Sequence, residues 1–176
     1  MKRLIFLVLI IPSLLSADEH AASILGASTG AWEGELYYLD YQSGQRFGIP
    51  MRIDAELTPD GATLIRRLTF ADPGNLVHAV NLSTVDRDTG ELVEAYFREG
   101  RGEMNRFDIV KIDFKDEAAW ELVYEQDGID DDRPARIRHT LSRDGKTMSS
   151  SKAVRFLDDE GEFFLRNGTE LELVEQ

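Results

Sequence analysis

Along most of its length the chain alternates apolar and polar residues one by one, and clusters of turn-forming residues interrupt the alternation after runs of roughly eight to eleven residues. A strand turns successive side chains to opposite faces, so this period of two dictates sheets with one face dry and one wet. The clearest run places Phe47, Ile49, Met51, Ile53, Ala55 and Leu57 on one face and Gly48, Pro50, Arg52, Asp54 and Glu56 on the other. The punctuation is mechanistic: Ser43-Gly44, Pro59-Asp60-Gly61, Asp72-Pro73-Gly74-Asn75, Asp88-Thr89-Gly90, Gly100-Arg101-Gly102, Asp127-Gly128, Asp144-Gly145 and Asp159-Glu160-Gly161 supply positive φ, preset φ or side-chain-capped turns. Ten candidate strands result, and only Asp18 to Gly26 reads as a short helix.

Neighbouring strands joined by hairpins form an antiparallel meander. Ten strands in an open sheet would leave two exposed edges, and closure removes them. The expected fold is therefore an all-β, up-and-down antiparallel barrel of about ten strands with a short N-terminal helix. Its organisation is a helical lead-in over residues 18–29 and one barrel domain over 30–176.

The N-terminus reads as an address. Lys2 and Arg3 precede an unbroken apolar run from Leu4 to Ile11, and Leu15-Ser16-Ala17 offers a small residue for cleavage. This is the layout of a secretory signal over residues 1–17, so the mature protein is expected in the periplasm or outside the cell, with no membrane anchor after cleavage. Its removal takes the net charge from −13 to −15. Such a charge argues against nucleic acid as a partner, because phosphate contacts need a basic face. With no Cys there is no disulfide and no thiolate metal site. A hydrophobic content of 42% sets the chain apart from disordered acidic tails.

Two motif matches fail on context. Gly26-Ala27-Ser28-Thr29-Gly30 fits G-x-S-x-G, but a nucleophile elbow follows a strand and opens a helix, the reverse of the order here. Ser149 and Lys152 fit S-x-x-K, yet three residues apart on a strand they point to opposite faces. The acidic run Asp130-Asp131-Asp132 lacks the spacing of a calcium loop. No catalytic residue and no metal site is assigned.

The inward stripes carry polar passengers. Taking the apolar stripes as buried, Arg66 travels with Leu64 and Leu68, His78 with Leu76 and Val80, and Glu94 with Leu92 and Tyr96. Arg106 and Asp108 lie on the Met104/Val110 stripe, Tyr124 on that of Leu122, His139 on that of Ile137, and Lys152 on that of Val154. Buried charge must be paired or hydrated, and a ten-stranded barrel is wider than one that side chains alone fill. The expectation is a partly polar cavity for a small hydrophobic or amphipathic ligand. Arg66, His78, Tyr96, Arg106, Tyr124, His139 and Lys152 are its candidate binding residues. Two rival readings stand beside it. In one, an acidic envelope protein captures a cationic protein partner. In the other, His78 with Glu94, or His139 with Asp108, is the acid/base pair of an isomerase or cyclase acting in the cavity.

Gly30-Ala31-Trp32-Glu33-Gly34 reads G-x-W-x-G at the start of the first strand, after the helical lead-in. This resembles the opening of the lipocalin-like, or calycin, barrels. It is similar to small secreted bacterial lipocalin-like proteins of undefined function and, more distantly, to the haem-binding nitrobindin type. The resemblance implies that Trp32 plugs the closed end with an Arg of the last strand over its indole, for which Arg166 is the candidate. Gly30 and Gly34 would then allow the turn into the strand and its coiling. The nitrobindin type draws its proximal His from the C-terminal part of the barrel. No His follows His139 in this chain, so neither haem nor another cofactor is expected.

Overall fold

A computed structural model describes residues 17–40, 43–158 and 161–174. The leader expected over residues 1–17 falls, but for Ala17, outside the described residues, as do Asp159 and Glu160 of the last predicted turn. Helix α1 (Ala17–Ala27) precedes ten strands: β1 (Gly30–Leu39), β2 (Arg46–Leu57), β3 (Thr63–Asp72), β4 (Asn75–Val85), β5 (Leu92–Arg98), β6 (Arg101–Asp116), β7 (Ala119–Asp130), β8 (Arg133–Asp144), β9 (Thr147–Phe156) and β10 (Phe164–Leu173). Each strand pairs antiparallel with its neighbours in sequence, and β1 pairs with β10, closing the barrel. The expected meander barrel with its short helix is the observed fold.

The turns obey local chemistry, but Asp127-Gly128, expected as a turn, lies inside β7, and the chain reverses at Asp131-Asp132 instead. Glu99 and Gly100, and likewise Asp131 and Asp132, all have positive φ, as two-residue hairpins that continue the twist of their strands require. The acidic run at 130–132 is thus a turn, with Asp130 on the strand before it.

Closure rests on Gly34. A Cβ there would run into the carbonyl oxygen of Glu170 on β10, so only glycine allows β1 and β10 to approach as they do. At Gly30, φ is +122°, a conformation that side chains rarely adopt.

The two ends differ. Across one end lies α1, burying Ala21, Ile24 and Leu25 against Trp32, Leu64, Leu92, Trp120 and Leu171. Trp32 is fully buried and its Nε1 donates to the Ser28 carbonyl at 3.1 Å. The guanidinium over its ring, 5.1 Å from the centroid, belongs to Arg143 on β8, which also donates to the Ala27 carbonyl at 2.7 Å. Trp32 and Arg143 therefore occupy carbonyls that the helix end leaves over, and pin α1 as a plug.

Arg166 is not the partner of Trp32. Trp32 pairs with Leu173 in the β1–β10 register, and Arg166 lies seven residues away, roughly 23 Å along an extended strand. It sits towards the opposite end, beside the β-bulge between Leu165 and Asn167, where it pairs with Asp130 and lies 4.9 Å over the Phe164 ring.

Gly34→Ala should cost at least about 2 kcal/mol of stability in urea unfolding, because backbone rather than a mobile side chain blocks the new methyl. Gly61→Ala, where φ is +70° and nothing lies within 4 Å, should cost only about 1 kcal/mol.

Candidate functional site

The apolar floor made by the plug gives way, further up the barrel, to polar side chains. Register explains the change. Leu64, Ser83 and Glu94 share one inward row across β3, β4 and β5, and Arg66, Asn81 and Tyr96 share the next. Arg66 ion-pairs with Glu94 at 2.7 Å, donates to Asn81 Oδ1 at 2.7 Å and also bonds Ser83. Ser83 in turn donates to Glu94 at 2.8 Å. The inward charge on β3 is thus neutralised and fully bonded, as a low-dielectric site requires.

Opposite stands an aromatic group. Tyr124 and His139, directly paired across β7 and β8, stack with centroids 5.2 Å apart, and Phe107 meets both edge-on at 5.0 and 5.4 Å. Neither His139 nor the Tyr124 hydroxyl hydrogen-bonds another described residue, and both line the cavity. Desolvation by burial pushes the His139 imidazole down to about 4, against some help from Glu94, so the ring is neutral at neutral pH. Burial pushes the Tyr124 phenol well up, which keeps it a hydroxyl donor.

The open space has two adjoining parts. A chamber of about 180 Å³ is floored by Met51, Ile53, Leu141 and Leu171. A mouth of about 450 Å³ is lined by Glu103, Asn105, Gln126, Ile137 and Lys152. Asn81, Glu94, Tyr96 and His139 border both. Near the mouth Asp130 receives Lys152 at 3.0 Å and Arg166 as well. Together these two cations hold its carboxyl below its ordinary range, against desolvation by burial.

Of the sequence-predicted site residues, the structure gathers Arg66, Tyr96, Tyr124, His139 and Lys152 around one space. His78 and Arg106 are corrections. On β4 the inward residues are Val77, Ala79, Asn81 and Ser83, so His78 faces out with Leu76 and Val80 and bonds Thr69 at 3.2 Å. On β6 the bulge between Ile109 and Lys111 reverses the stripe partway along. Ile112 and Phe114 point inward as expected, but Asn105 and Phe107 replace Met104 and Arg106. Arg106 pairs outside with Asp86 and Glu91 at 2.9 and 2.8 Å, and Asp108 outside with Arg136. His78 and Glu94, like His139 and Asp108, thus lie on opposite sides of the wall, and neither acid/base pair exists.

Residues that the stripes missed are Asn81, Ser83, Asn105, Phe107, Gln126 and Asp130. Asn81 and Ser83 carried a usable signal, since they are polar at alternate positions of a strand whose other face is apolar too.

No family model and no curated protein matches this chain. Among solved structures, Rv2717c from M. tuberculosis is 13% identical with a TM-score of 0.56, covering 92% of this chain and 99% of that one. A DUF3598-family protein of unknown function from Nostoc punctiforme is 8% identical over 91% of this chain and 100% of that one. Its TM-score of 0.26 is too low to carry an argument. The first likeness shows the fold and nothing finer.

The His139 geometry fixes a pH dependence. A histidine depressed in the folded state binds fewer protons than the unfolded chain between about 6.5 and 4, so folding weakens as pH falls through that window. Relative to His139→Phe, the wild type should lose on the order of 2 kcal/mol between pH 7.5 and 4.5 in urea unfolding, and nothing between pH 7.5 and 8.5.

Proposed function

We propose that this chain is a non-enzymatic binding protein that holds a small hydrophobic or amphipathic molecule inside the barrel, in the manner of the lipocalin-like barrels its G-x-W-x-G opening resembles. The observation that carries the reading is the space bordered by His139 and Tyr124, whose polar atoms have no hydrogen-bond partner among the described residues. An imidazole and a phenol held neutral, with their polar atoms turned to the cavity, are ready to bond a guest. A mouth of about 450 Å³ leading to an apolar chamber falls in the range of small-molecule sites, about 300–1,000 Å³.

Charge narrows the guest. Arg66, the Lys or Arg side chain that lines the chamber, is neutralised by Glu94, while Lys152 stands at the mouth and shares Asp130 with Arg166, so the chamber offers no lone cation to an anionic head. A guest with an apolar body and an uncharged polar group at the depth of His139 suits this lining. The basic and apolar leader supports an exported protein as part of the same proposal.

The test is titration with Nile red, a neutral apolar dye whose fluorescence rises on leaving water. The wild type should bind about one equivalent. Asn105→Trp, which fills the mouth, should weaken binding at least about tenfold while leaving the unfolding free energy within about 1 kcal/mol of the wild type. Equal binding by both, or none by the wild type, refutes the reading.

A further inference from the structure

Neither face of strand β4 from Leu76 to Val85 carries a charged carboxylate, Lys or Arg, and its outward face, mostly apolar but for His78 and Thr84, continues across its neighbours. In the pairing register Ile65, Leu82, Ala95 and Met104 form one outward row over β3, β4, β5 and β6. The next row holds Arg67, Val80, Phe97 and Gly102, and farther along β4 towards the mouth end come His78 and then Leu76. Gly102 leaves the space into which the Phe97 ring lies. Leu76 is 63% exposed, Phe97 49% and Met104 69%. Outward positions on β4 from Leu76 to Thr84, and on β5 from Val93 to Phe97, carry no Asp, Glu, Lys or Arg, in a chain of which 30% is charged. The other walls are different: Glu33 and Glu35 stand out from β1, Arg52 and Asp54 from β2, and Glu170 and Glu172 from β10.

From this we infer that the outward face of β3–β6 is the interface of a two-fold dimer of this chain. Three properties of the face specify a second copy. Leu76, Phe97 and Met104 with Val80 present on the order of 400 Å² of apolar surface, a size typical of functional patches. That is about half of the roughly 800 Å² per partner of a standard interface, and in the proposed dimer the polar rim supplies the rest. The rim charges are already matched, Arg67 with Glu56 at 2.8 Å on one edge and Arg106 with Asp86 and Glu91 on the other, so no lone cation is buried. In the ring of ten strands, β5 and β6 lie diametrically opposite β10 and β1. Docking here sends the acid-rich walls of two chains, each of net charge −13, to the far ends of the pair. Two apolar sheet faces stack about 10 Å apart, so the crest of the wall at β4 and β5 can meet the same crest of a second copy. The inference is independent of what the cavity binds.

Sedimentation velocity over a micromolar concentration series tests it. The wild type should pass from monomer to dimer, and Phe97→Glu with Met104→Glu should remain monomeric throughout with an unchanged near-ultraviolet circular dichroism spectrum. Should the double variant fail to fold, single cysteines in this cysteine-free chain decide: Met104→Cys should cross-link between copies through a short bis-maleimide, and Glu172→Cys should not. A monomer at every concentration, a dimer that survives in the folded double variant, or cross-linking at Glu172→Cys alone overturns the assignment. So does a monomeric wild type that floats with phosphatidylcholine vesicles, which would give the face to lipid.

Discussion

Everything in this molecule depends on the seam between β1 and β10. A ten-stranded meander left open would expose two rows of unpaired backbone groups and could not hold one side of its sheet away from water. Closing it requires the first and last strands to come within backbone contact, which the missing side chain at Gly34 permits. The same seam begins beside Trp32, so the residues that close the wall also seat the plug. One end is sealed by α1, the Trp32 indole and the Arg143 guanidinium, and the opposite half remains hollow.

The interior follows from this asymmetry. Near the plug, side chains from every strand converge and large apolar residues fill the width, as dense packing demands. Farther up, ten strands enclose more space than side chains fill. There the sequence places a hydrogen-bonded band of Arg66, Asn81, Ser83 and Glu94 facing a stack of Tyr124, His139 and Phe107. The two sides differ in chemical character: one is saturated with its own hydrogen bonds, while the other keeps neutral donors and acceptors for something else. The proposed binding of a neutral amphipathic guest rests on this pairing of walls.

How far the sequence was legible varied with the number of apolar faces per strand. On β2, Met51 and Ile53 alternate with Arg52 and Asp54, one face is plainly wet, and the pattern assigned it correctly. On β4 neither face from Leu76 to Val85 is charged, and the larger apolar residues, Leu76 and Val80, misled because they face solvent. A period of two cannot tell inside from outside when neither face is charged. On β6 the bulge after Ile109 adds one residue and reverses every orientation on one side of it, and nothing at Val110 marks that addition. The cation over Trp32 was misassigned for another reason. Strand pairing, not position near the chain end, decides what reaches the plug, and Arg143 arrives there from the β8–β9 hairpin. Where alternation was clear, on β3, β5, β8 and β9, Arg66, Tyr96, His139 and Lys152 were found at their places.

The most direct test of the account asks whether the interior is hollow and reachable in the folded protein. Because the chain has no cysteine, Ser150→Cys places a single thiol on the chamber wall. Its reaction with methyl methanethiolsulfonate can then be followed by mass spectrometry under native conditions. The account predicts modification far faster than global unfolding, slowed when Nile red is bound. Modification only at the rate of unfolding, unaffected by dye, would mean a solid barrel and would contradict it.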